Sequence, residues 1–170
     1  MVDITESRKI TEEVYSQLNQ IAEEIVNKQS GYLDEAVKKL HNVDTMSNTE
    51  IRNIMAIVTV EAFRISAYKE QSELKDSCAS ALYKEGIAVS FNTIVGTVEA
   101  RKNQSLEDNI DKQLVSILYS NVASRFKTKV DEAHRVASVL SNILISRQAE
   151  AKLSYSPRSE ETLDNGQEVF

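Results

Sequence analysis

The run Asp131-Glu132-Ala133-His134 places two carboxylates and an imidazole within one helical turn, and it holds one of only two histidines in the chain. Its four letters match a helicase signature, but that motif works beside a phosphate-cradling loop of the form GxxxxGKS or GxxxxGKT, whose glycines free backbone amides for the phosphates. Gly31, Gly86, Gly96 and Gly166 are all the glycines here, and none stands in such a loop. The same run offers an acid and a histidine three residues apart, as in di-metal sites of helical bundles. Those sites need a second such pair and two further inward glutamates. The other histidine, His41, has Lys38 at the equivalent place, and its charge would repel a metal. No metal centre is expected.

Haem needs only one axial histidine, so His134 is the candidate cofactor ligand of this chain. Its helical neighbours Val130, Val136, Ala137 and Val139 make a lean pocket wall, and a solvated histidine beside its carboxylates is the favoured reading. No cofactor is expected. Cys78 is the single cysteine, so it forms no intrachain disulfide, and Asp76, Ser77 and Ser80 around it do nothing to activate a thiol. No serine stands in a nucleophile elbow. Arg125, Lys127, Lys129 and Arg135, with Arg101 and Lys102, are the basic concentration. Asp131 and Glu132 interrupt it, and the net charge is −6, so a nucleic-acid partner is not expected.

The elements that would carry these residues are helices. Four glycines and one proline in 170 residues leave a sheet without its turns. A first helix is expected after Asp3, with Glu6 completing a capping box and Ile10, Val14, Leu18, Ile21 and Ile25 as its apolar stripe. Gly31 is read as its end, and a short second helix with Leu33, Ala36, Val37 and Leu40 follows. Ser47-Asn48-Thr49-Glu50 is the clearest capping box, opening a third helix that carries Ile51, Ile54, Met55, Val58, Ala62, Ile65 and Tyr68 and stops at Gly86. Residues 87 to 103 are read as a fourth helix. Ser105 is read as the cap of a fifth, whose stripe runs Ile110, Leu114, Leu118, Val122, Phe126, Val130, Ala133, Ala137, Leu140 and Leu144, with a change of packing neighbour near Phe126.

One uninterrupted helix over 105 to 153 would measure roughly 73 Å, against a radius of gyration of about 15 Å for a compact chain of this length. The absence of breakers favours an elongated molecule. The expected fold is mainly α: an elongated antiparallel bundle of about five helices without significant β-sheet, forming one domain over residues 1–153 and a flexible tail over 154–170. No stretch reaches the roughly 18 apolar residues of a membrane span, and the mixed charges of the first residues do not resemble a signal peptide, so a cytoplasmic location is expected.

The function expected is that of a non-catalytic helical structural or adaptor protein, acting through self-assembly or contact with a protein partner. Val130, Ala137, Leu140 and Leu144, at coiled-coil spacing, are the candidate interaction residues for a homo-oligomer. Packing of the same stripe against the first helix of the chain is the competing arrangement. A ligand- or haem-binding sensor built around His134 is the alternative function, and an enzyme with a dispersed site is a further one.

Overall fold

The computed structural model describes residues 4–154, with side chains described from residue 11 onward. Four α-helices and one 3-10 segment follow in order: α1 (Ile4–Lys39), the 3-10 turns Leu40–Thr45, α2 (Asn48–Thr93), α3 (Val98–Glu107) and α4 (Ile110–Ser154). There is no strand among the described residues. At 46 and 45 residues, α2 and α4 are each about 70 Å long. They run antiparallel along their length, in a register marked by Asn48 with Arg147, Tyr68 with Phe126, and Ser80 with Ser116. α1 packs on α4 and α2, tied to them at Glu23 with Arg125, Gln29 with Arg64 and Asp34 with Lys129.

A single line of buried side chains on α2 explains this shape. Ile51, Val58, Ile65, Ser72, Ala79 and Gly86 are all buried at a strict spacing of seven, the spacing that keeps one seam toward a neighbour as two helices wind around each other. Their size falls along the helix. Over the first three positions α2 meets both α1 and α4, and a core of Leu33, Val58, Ile65, Val122, Phe126 and Leu140 fills the space among three helices. Each such side chain contributes about 1.5–3 kcal/mol by leaving water. Over the last three positions the small side chains face α4, and at Gly86 the two helices come close, while the short α3 meets α2 near its end at Phe91.

Polar ties hold the three-helix end in register. Arg64 donates to the carbonyl of Gln29 at 2.6 Å and to Glu61 at 2.6 Å, its guanidinium lying over Tyr32 and Tyr68. Arg147 donates to the carbonyls of Val43 and Met46, anchoring the turn between α1 and α2 onto α4. At the other end Arg101 stacks on Phe91 at 4.3 Å and folds α3 back on the tip of α2. No helix among the described residues is long and apolar enough to cross a membrane.

The helical, elongated, antiparallel architecture agrees with expectation, but there are four α-helices where about five were expected. Gly31 does not end the first helix. It is exposed, nothing would crowd a Cβ there, and burial of Leu33 and Ala36 just beyond outweighs the ~1 kcal/mol that glycine costs a helix. Gly86 does not end α2 either. It is buried where a Cβ would fall on Asn109 and Lys112 of α4, so it is a point of close approach.

The break falls later, at Ile94–Thr97, where Gly96 has φ +150°, so the helix expected over 87 to 103 is split between α2 and α3. Ser105, expected as a cap, lies inside the last turn of α3 and donates to the Lys102 carbonyl. On α1 the buried line is Ala22, Val26, Leu33 and Ala36. Ile21 is exposed and Ile25 half-buried, so the expected stripe is turned by one residue. Ser154 still belongs to α4. The tail expected from there, over 155–170, and the cap expected at Asp3 lie outside the described residues.

Candidate functional site

Successive residues of a helix point about 100° apart, and this separates the Asp131–His134 run. Ala133 is buried, Asp131 is exposed, and Glu132 accepts from Lys129 at 3.0 Å. His134 is exposed on the wall of a groove between α2 and α4 that Thr59, Ala62, Phe63 and Ala137 also line. The groove holds about 200 Å³, below the roughly 300 Å³ at which small-molecule pockets begin. His41 is exposed in the turn after α1, its Nδ1 within 3.0 Å of the Lys38 carbonyl. No cluster of three His, Cys, Asp or Glu side chains suited to a metal occurs among the described residues.

Two members of the basic concentration, Arg125 and Lys129, face α1, while Lys127 and Arg135 are exposed. Arg125 lies 3.8 Å from Glu23, and Lys129 donates to Asp34 at 2.6 Å. Burial works against the Lys129 charge, but hydrogen bonds to Asp34 and Glu132 and their attraction outweigh it and hold the ammonium above the ordinary lysine range. Near Phe126, where a change of packing neighbour was expected, Arg125 and Lys129 of α4 pair with Glu23 and Asp34 of α1.

Of the four candidate interaction residues, Leu140 and Leu144 are buried in the core that α4 shares with α1 and α2, while Val130 and Ala137 are half-buried against it. Leu140 and Leu144 are thus covered by the chain's own helices, while Val130 and Ala137 also border the groove beside His134.

The hairpin end carries a hydrogen-bonded polar interior. Ser116 donates to Asp76 at 2.9 Å and lies 2.8 Å from Ser80. Nearer the tip, Asn109 donates to Ser90 at 3.1 Å and to the Ser105 carbonyl at 2.9 Å, and accepts from Lys112. A carboxylate beside two hydroxyls, with neither histidine nearby, lacks the base that would make a serine nucleophilic. These bonds satisfy polar groups between α2 and α4.

A further feature is the outer face of α2, whose Phe63 also borders the groove beside His134. Ala56, Val60, Phe63, Ala67, Glu70 and Leu74 follow at spacings of 4, 3, 4, 3 and 4, and every one is exposed. Val60 is 64% exposed, Phe63 75% and Leu74 65%. Val60, Phe63 and Leu74 are large apolar side chains left in water along one helix face, and exposed apolar surface of this kind marks contact sites. Reading α2 for its inner stripe alone passes over this second heptad line, although its spacing is present in the letters. No family model, curated protein or solved structure matches this chain.

Proposed function

We propose that this chain is a non-catalytic helical scaffold or adaptor that acts through protein–protein contact along the outer face of α2. The supporting observation is the exposed heptad line Ala56, Val60, Phe63, Ala67, Glu70 and Leu74 on a helix whose inner face is already occupied. Heptad spacing is the pattern by which one helix receives another, with large side chains entering holes among four residues opposite. The line lies on a helix of 46 residues that runs from Asn48 to Thr93 without a break.

The test is a photoreactive benzoylphenylalanine replacing Phe63 in the full chain, in its own cells. Docking predicts a covalent protein adduct of discrete mass from position 63 and none when the probe replaces Glu12, also exposed but on α1. Uncoupled monomer alone, or equal adducts from both positions, would sink the reading.

A further inference from the structure

Resting on that reading and going one step beyond it, we infer that the partner on the outer face of α2 is a second copy of this chain, packed antiparallel about a two-fold axis at the level of Ile65. The line is its own complement when reversed. Read forward it is Ala56, Val60, Phe63, Ala67, Glu70, Leu74; laid against its reverse, Ala56 meets Leu74 of the second copy, Phe63 meets Ala67, and Val60 meets Glu70. Large faces small in four of the six layers, which lets two helices close without voids or overlap. A two-fold contact repeats each of these layers on the other side of the axis.

Charge selects the direction. A parallel pair would set Glu70 against Glu70 of the second copy and Arg52 against its own copy, like charges at the seam and at its margin. The antiparallel pair moves the two Glu70 carboxylates about 15 Å apart along the axis, beyond the ~8 Å over which exposed charges interact at physiological salt. A single polar residue in an otherwise apolar seam fixes orientation at some cost in affinity. The layers from 56 to 74 cover only about 27 Å of helix, so the dimer dissociates on dilution.

Cys78 is exposed, is the only cysteine, and lies beyond the seam, so a spin label on the otherwise unaltered full chain reports the geometry. Thirteen residues on either side of the axis place the two labels about 40 Å apart in the antiparallel dimer, and about 10 Å apart in a parallel one. Sedimentation equilibrium of unlabelled and labelled chain should give the same monomer–dimer equilibrium. Phe63→Glu should weaken it at least about tenfold with helix content unchanged, and Val60→Glu should behave the same way. Three results would overturn the inference: a monomer at every concentration, a label separation near 10 Å, or a dimer indifferent to both substitutions. A monomer that still gives a discrete adduct with another protein from position 63 removes the second copy and leaves the docking face standing.

Discussion

From Ile51 to Ile65 the buried line of α2 is made of large aliphatic side chains that meet two other helices; from Ser72 to Gly86 the same line shrinks to Ser, Ala and Gly and is flanked by hydroxyls, an amide and a carboxylate. The period of seven is common to both stretches. The difference lies in what sits at each seventh position, so period and composition carry separate information. Period sets which face turns inward. Composition sets how many neighbours that face can take and how closely they come.

The two ends should therefore differ in what they contribute to stability. Leu140 is fully buried among three helices, and Leu140→Ala removes its contacts and leaves a cavity, an expected loss of about 2–5 kcal/mol. Urea unfolding of the full chain measures it. A loss under about 1 kcal/mol would place Leu140 outside the core that closes this end and erase the contrast.

At the hairpin end the sensitive change is an addition. Gly86→Ala gains about 1 kcal/mol of helix propensity, but its Cβ would fall on the Asn109 carboxamide and the Lys112 ammonium. Forcing those groups aside costs about 1–3 kcal/mol and strips Asn109 of its bonds to Ser90 and Lys112. The net expectation is a modest destabilisation, with faster amide exchange around 86 and 109 while exchange in the three-helix end is unmoved. A stabilised variant would mean that α2 and α4 do not approach closely there.

How much of this was legible in the letters varied with the distance over which the information lies. The Ser47–Glu50 box is contained in four adjacent residues and could be read directly. The α4 stripe needed only one helix, and it holds over most of its length: Val122, Phe126, Ala133, Leu140 and Leu144 are buried and Leu114, Leu118, Val130 and Ala137 half-buried, whereas Ile110, at the start where α4 has only the hairpin tip beside it, is 53% exposed. Gly86 needed two. A glycine that ends a helix and one that admits a neighbour are the same letter, and Asn109 decides which it is. On α1 the small Ala22 is buried at 0% while Ile21 beside it is exposed, because the neighbour's position, and not side-chain size, sets the buried face. The outer line of α2 has a readable period, but exposure becomes apparent only after the inner face has found its partners. His134 was legible as a histidine on a helix, whereas its shallow groove depends on Thr59 and Phe63, some seventy residues away.

The smallest effect belongs to the helix starts and compares the two ends once more. Ser47 caps α2 by accepting from the Glu50 amide at 3.2 Å, and the Glu50 carboxylate in turn accepts from the Ser47 amide at 2.7 Å. Thr97 caps α3 by accepting from the Ala100 amide at 3.3 Å, and with alanine at that place no carboxylate returns the bond. Ser47→Ala and Thr97→Ala should each cost about 1 kcal/mol near neutral pH. Only the first should depend on acid. The backbone bond from Ser47, with that from its hydroxyl, holds the Glu50 carboxyl below the ordinary glutamate range, so the folded chain releases this proton more readily than the unfolded one. Its contribution is complete above the unfolded value and is lost as pH falls through the lower, folded one. The penalty of Ser47→Ala should shrink across that acid window, because the wild type loses there part of what the variant already lacks. The penalty of Thr97→Ala should stay level. Thermal unfolding of both variants and wild type at neutral pH and through the acid range measures the difference, and parallel pH curves for the two variants would show that the bond from the Ser47 hydroxyl to the Glu50 carboxylate adds nothing in solution.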